Sequence, residues 1–203
     1  HDIDAKTRLL FDSQSIEDLA RQVDANTADS PRLAFPEGGY YLLGTRFGMP
    51  DEVRAVVDCG PLGYLSIAAH GHADALAMTL SVGGHEVLVD PGTYSYHTQK
   101  SWRDYFRSTS AHNTVEVDQS DQSEIGGNFM WLNKAVATKL AHQFDGETQR
   151  FVGEHDGYQR LKDPVRHRRE IQFDTVSLVF QFIDTLFCKA EHDISISWHF
   201  SEY

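Results

Sequence analysis

The sequence predicts an all-β chain, a large antiparallel β-sandwich entered through one short helix. Three observations predict it. From Phe35 onward apolar residues recur with a period of two in short runs rich in β-branched and aromatic side chains. Glycine and proline turns punctuate those runs. A period of 3.6 is convincing over residues 13–25 and not downstream. Short strands at close intervals favour sheets packed face to face over alternating βαβ units.

The helix reads SQSIEDLARQVDA, with Ile16, Leu19, Ala20 and Val23 forming a single apolar stripe. Ser15 and Asp18 resemble a capping box, and the polar stretch NTADSPR after it reads as a linker. The stripe needs a cover that the strands downstream do not supply, so residues 1–34 are expected to be the tail of a helical domain and residues 35–203 the sandwich. Strands are expected over 39–46, 53–58, 113–117, 135–143, 169–173, 176–183 and 194–200. The clearest hairpin spans 75–90: Met78, Leu80 and Val82 alternate with small or polar residues, Gly83-Gly84 turns the chain, and Val87 and Val89 resume the alternation. That turn sets Val82 opposite His85 and Asp90 opposite Ala77. No internal repeat or low-complexity segment is evident.

Composition sets limits. A chain of 203 residues, 40% hydrophobic and 24% charged, is long enough for one domain with a real core. A formal charge of −12 argues against a nucleic-acid or anionic-membrane partner, since both require positive surface. An acidic substrate needs only local cations. No apolar run is long enough for a membrane span, and the start HDIDAKTRLL lacks the pattern of a secretory signal, reading instead as an internal piece. Cys59 and Cys188 are expected to be buried thiols, with a disulfide as the other reading.

The stretch from His70 to His112 concentrates the chemistry, holding five of the eleven histidines. His72, Asp90 and His112 are donors suited to zinc or another first-row divalent ion with one position left open. Buried, hydrogen-bonded histidines are the plainer reading of this spacing. In an extended segment His70 and His72 point the same way. With the expected register, His72 lies five residues beyond Ala77, roughly 17 Å away at strand rise, so residues 70–75 must bend back or the register must differ. Elsewhere, Val165–Glu170 (VRHRRE) reads as the solvated face of a strand. His85, His142 and His155 read as solvent-exposed, and His97 stays undecided. Trp102 and Trp131 read as buried aromatics, with sugar stacking as the alternative.

The blocks HGHAD, LVDPG and AHNTV, within AAHGHADALAMTLSVGGHEVLVDPGTYSY and WRDYFRSTSAHNTVEVD, resemble the C-terminal β domain of the heparinase II/III-like family, which includes related alginate lyases. The likeness runs through most of residues 35–200. It implies an α/α toroid ahead of the sandwich, an active cleft between the two, and zinc held by His72, Asp90 and His112, in support of fold or chemistry. It places His70 in the catalytic cleft. The implied reaction is β-elimination in a uronic-acid polysaccharide, which needs a group to neutralise the carboxylate, a base and an acid. By position, Tyr96 and Tyr105 are candidates for the cleft chemistry and Arg103 and Arg107 for the substrate carboxylate. For these four the plainer readings are sheet packing and surface ion pairs. The family's catalytic tyrosine and its partner come from the helical domain, so residues 1–203 alone are expected to be inactive, and export to the periplasm or beyond is implied. Two other readings remain: a two-histidine, one-carboxylate oxygenase with Asp74 as ligand, and a non-catalytic carbohydrate-binding module.

Overall fold

The computed structural model describes residues 14–15 and 31–202. Gln14 and Ser15 are helical, and the rest of the helix expected over 13–25 lies outside the described residues. The chain divides between Arg32 and Leu33, and every strand among the described residues belongs to the second of the two units.

Two antiparallel sheets form the sandwich. The first joins β1 (Ala34–Phe35), β2 (Tyr40–Thr45), β3 (Val53–Asp58), β4 (Met78–Val82) and β5 (His85–Leu88) in that order. After β5 come α1 (Lys100–Phe106), a 3-10 turn at Thr109–Ala111, and β6 (Val115–Val117). A small hairpin comes next, β7 (Ile125–Gly127) with β8 (Met130–Trp131). The second sheet contains β9 (Ala137–Gln143), β10 (Thr148–His155), β11 (Arg166–Asp174) and β12 (Val179–Phe187), ordered β12-β11-β10-β9. The last strand, β13 (Ile194–Ile196), pairs with β6.

The sheets meet through alternate residues. Tyr41, Leu43, Val53, Ala55, Val57, Met78 and Leu88 come from the first sheet, and Phe151, Ile171 and Phe173 from the second. Burial of such side chains stabilises by roughly 1.5–3 kcal/mol each. Gln149 adds a polar tie, giving its side-chain N–H to the Gly44 carbonyl and accepting the Gly44 amide, both at 2.8 Å.

Strand β10 and helix α1 were not expected from the sequence. The inward positions of β10 are Gln149, Phe151, Gly153 and His155, so two are polar and one has no side chain, and the alternation is hidden. His155, expected in solvent, is buried and sits 3.1 Å from His167. The solvated-face reading of Val165–Glu170 also fails on one side. Arg166 and Arg168 face outward, whereas His167 and Arg169 point into the sandwich, where Asp184 meets both. Both cysteines are free; Cys59 is buried as expected, and Cys188 is exposed.

The hairpin register differs by one. Val82 faces His85 and Ser81 faces Glu86, but Leu80 faces Leu88. Val87 is therefore an extra residue, a β-bulge, and everything beyond it on β5 is displaced by one position.

Candidate functional site

The site forms where the loop before β4 folds back over the first sheet. Ala68, His70 and Leu76 adopt left-handed backbone with φ of 53°, 63° and 63°, a conformation uncommon for non-glycine residues. The Ala77 amide bonds to the Asp74 carbonyl and the Leu76 amide to the Asp58 carbonyl, closing a turn that returns His72 toward the strand ends. Gly63 and Gly71 let two backbones touch: a Cβ on Gly71 would stand 2.7 Å from the Gly63 nitrogen. Left-handed backbone at His70 breaks the expected common direction of the histidine pair. His70 packs on Tyr96 and Phe129, with ring centres 5.7 and 5.9 Å away, whereas His72 lies 5.2 Å from the His112 ring.

His112 comes directly after the 3-10 turn and is buried. Its Nδ1 lies 2.8 Å from Asp90 Oδ2, and its Nε2 is buried without a hydrogen-bond partner. Donor atoms of His72, Asp74 and His112 all lie within 4.8 Å of one another. This brings together two of the three expected ligands directly and places the third, Asp90, on the side of His112 that carries Nδ1. An orphaned ring nitrogen facing a carboxylate and a second imidazole is a donor set that a divalent ion would complete.

The electrostatics favour a cation. Burial holds His72 neutral, its pKa lowered to about 4. Burial lifts the Asp74 carboxyl to about 7, with the neighbouring Asp58 and Asp90 charges adding to it. Burial raises Asp58 as well. For His112 burial works downward, but the hydrogen bond with Asp90 and the charges of Asp74, Asp90 and Asp58 outweigh it, and the ring ends above its ordinary value. Three carboxylates thus crowd two imidazoles, and their mutual repulsion is eased by positive charge.

Around this group lies a cavity of about 570 Å³ lined by, among others, Tyr40, Asp58, His70, His72, Asp74 and Asp90, a size suited to one or two sugar rings. Its floor is held by buried polar side chains. Asn113 donates to the Met78 and Val89 carbonyls at 2.9 and 3.0 Å and accepts the His199 amide. Arg169, fully buried, pairs with Asp184 through Nε and Nη2, while Nη1 reaches across to the carbonyls of Leu76 and Asn113 at 3.1 and 2.6 Å. The second sheet thereby holds both segments that carry the donors. Gln122 donates to the Ala75 carbonyl.

The other expected site residues are placed differently. Arg103 and Arg107, four apart on α1 and just after it, project from one face and are buried. They bond the carbonyls of Asn128 and Gly127 and stack over Tyr96 and Trp131. Arg107 also makes the expected kind of ion pair, with Asp104 at 3.2 Å, though from a buried guanidinium, and both arginines fasten the β7–β8 hairpin. Tyr96 stands beside His70. Tyr105 belongs to a separate exposed group with Tyr94 and Trp102, around Phe106. Trp102 is thus exposed, contrary to expectation, and Trp131 is buried. Asp58, Asn113 and Arg169 escaped the sequence reading. Asn113 lay next to a noted histidine and Arg169 within the run Val165–Glu170, read there as solvated, while nothing local marked Asp58.

A family model described as "Heparinase II/III-like, C-terminal" matches residues 27–203. No curated protein matches. Among solved structures, heparan sulfate lyase HepC from Pedobacter heparinus superposes with a TM-score of 0.72 at 18% identity, over 93% of this chain and 29% of that one. A heparinase III crystal structure gives 0.68 at 21%, over 86% and 26%. The chain therefore spans less than a third of the length of these structures, and the likeness is one of fold. With the family's model covering all but the first 26 residues and the sandwich of its solved relatives reproduced, this chain belongs to the heparinase II/III-like family, as its C-terminal domain.

Proposed function

We propose that this chain is the sandwich half of a polysaccharide lyase that cleaves a uronic-acid polymer by β-elimination. The observation that carries the reading is the sugar-sized cavity lined by His70 and by the His72, Asp74 and Asp90 group, in a member of a family whose similar solved structures are named heparinases and a heparan sulfate lyase. In the reaction a base takes the proton from C5 and its electron pair becomes the C4–C5 double bond. The C4–O bond breaks, and an acid protonates the departing oxygen. His70, exposed and braced by Tyr96, is the group of this chain placed to move a proton, and Tyr96 the second. Residues 1–34 connect this domain to a helical one that supplies the rest of the cleft, and the whole acts outside the cytoplasm.

Zinc is the proposed ion. His72, Asp74 and His112 through Nε2 would hold it, and Asp90 would fix the His112 ring through Nδ1, the usual support for a ligating imidazole. When bound it supplies positive charge and a Lewis-acid position beside the cleft. Two histidines and Asp74 are also the donors that the oxygenase reading requires. Such a set is shared by many metals and reactions, and the family membership supports the lyase.

A second reading, a carbohydrate-binding module, draws on the exposed Tyr94, Trp102 and Tyr105 group, whose rings suit stacking on sugars. One experiment separates the two. The full-length gene product is offered a panel of uronic polysaccharides and unsaturated products are followed by ultraviolet absorbance. Turnover that His70→Ala reduces at least about 100-fold, while the isolated 203 residues show none, supports the lyase. Sugar binding without product from any member of the panel overturns it in favour of the module.

A further inference from the structure

We propose a second metal site, selective for a thiophilic divalent ion such as zinc, formed by Asp163, Cys188 and His192 and buttressed by Asp118. It shares no residue with the cleft. Cys188 directly follows β12, His192 stands two residues before β13, Asp163 precedes β11, and Asp118 follows β6. The donor atoms of Asp163, Cys188 and His192 lie within 4.8 Å of one another. Thiolate, imidazole and carboxylate are each ordinary zinc ligands, and three of them leave one position for water.

The hydrogen bonds specify how an ion would enter. His192 Nε2 stands 3.1 Å from Asp163 Oδ2. At metal–donor distances of about 2.1 Å, ligand atoms of a tetrahedral site lie roughly 3.4 Å apart, so an ion can replace the proton between them with little movement. On the far side of the ring, Nδ1 lies 2.7 Å from Asp118 Oδ2. With an ion bound in place of the Nε2 proton, that bond would keep the proton on Nδ1 and turn the Nε2 lone pair toward the metal, the carboxylate–histidine–metal arrangement. Asp163 is already fixed by the amides of Ala190 and Lys189 at 2.9 and 2.8 Å. The ligand pair Cys188 and His192 bracket a four-residue step, so one short connection carries two donors and closes onto a third.

Such an ion would clasp the β12–β13 connection to the loop before β11, and through Asp118 to the end of β6. Its role is to anchor the last strand, and it takes no part in the chemistry of the cleft.

Sulfur makes the site separable from the cleft, whose donors are nitrogen and oxygen. Cys59 is no competitor, being buried with its thiol pushed up to about 12 by burial and by Asp58. The 203-residue chain, stripped with chelator, is titrated with cobalt(II) and the near-ultraviolet thiolate-to-cobalt charge-transfer band is read. The band is expected in the parent and in the His72→Ala, His112→Ala double variant, and lost in Cys188→Ser and His192→Ala. Asp118→Asn is expected to weaken cobalt binding roughly 10- to 100-fold. Cys188→Ser replaces an exposed side chain, so its fold can be checked by far-ultraviolet dichroism. A parent chain without the band at saturating cobalt, or a band that survives Cys188→Ser, overturns the proposal. So does a band lost with His72 and His112.

Discussion

At the scale of single residues, Asp74 and Asp90 carry the sharpest distinction. Asp74 converges on the two imidazoles and Asp90 reaches His112 through its other nitrogen. Asp74→Asn is expected to abolish metal retention in the cleft, whereas Asp90→Asn weakens it roughly 10- to 100-fold. Metal content after dialysis, with Cys188→Ser as the background, measures both, and the reverse order would restore Asp90 as the ligand. Asp184 gives a pH prediction. Burial raises its carboxyl, but His167 and Arg169 outweigh that and hold it at about 2, below the ordinary unfolded value of about 3.9. Its contribution is complete above the unfolded value and fades as pH falls through about 4 toward 2, a swing of about 2.5 kcal/mol. Asp184→Asn, which leaves the Arg169 guanidinium buried and uncompensated, should cost about 3–5 kcal/mol at neutral pH. Urea titrations should show the gap between parent and variant constant down to about pH 4 and narrowing below. The histidines of HGH and AHN were legible because few side chains bind metals and they cluster. Asp58 and Arg169 were not, since what makes them matter is a partner some 30 to 90 residues away, and separation along the chain carries no mark in sequence.

At the scale of elements, most strands were legible because their inward residues are apolar, and β10 was not because its inward residues include Gln149, Gly153 and His155. Buried polar networks remove the very contrast that period-two reading depends on. The hairpin turn was legible in Gly83-Gly84, but the bulge at Val87 was not, since an extra valine looks like any other strand residue. The loop over 63–76 shows an element working through packing alone. Gly71→Ala would set a Cβ 2.7 Å from the Gly63 nitrogen and 2.9 Å from its Cα, both backbone atoms that cannot yield cheaply. Although Gly71 is no ligand, the substitution should displace His70 and His72 together. Metal affinity is expected to fall at least about tenfold while the melting temperature drops by only a few degrees. Calorimetric titration with zinc of the Gly71→Ala, Cys188→Ser chain against Cys188→Ser reads the first, and thermal unfolding the second. Unchanged affinity would mean that the loop adjusts without moving the rings.

At the scale of the whole molecule, the −12 charge and the three carboxylates of the cleft pose a question for the proposed action on an acidic polymer. Like charges repel over about a Debye length, near 8 Å at physiological salt, so local cations must decide the encounter. Arg103 and Arg107 are engaged with carbonyls of the β7–β8 hairpin, and an ion at the His72, Asp74 and His112 donor set would add positive charge to this half of the cleft. The sandwich class was readable from the alternation of short strands. The division of labour between sheets was not, because it depends on which faces meet. Arg169 is the plainest case: rooted in one layer by Asp184, it grips the backbone of the other at Leu76 and Asn113. Removal of that one guanidinium should for that reason loosen the groove and the scaffold together. A chain altered at Arg169 is therefore expected to lose its sharp melt along with its groove, and its silence in an assay would speak of the scaffold rather than of the chemistry.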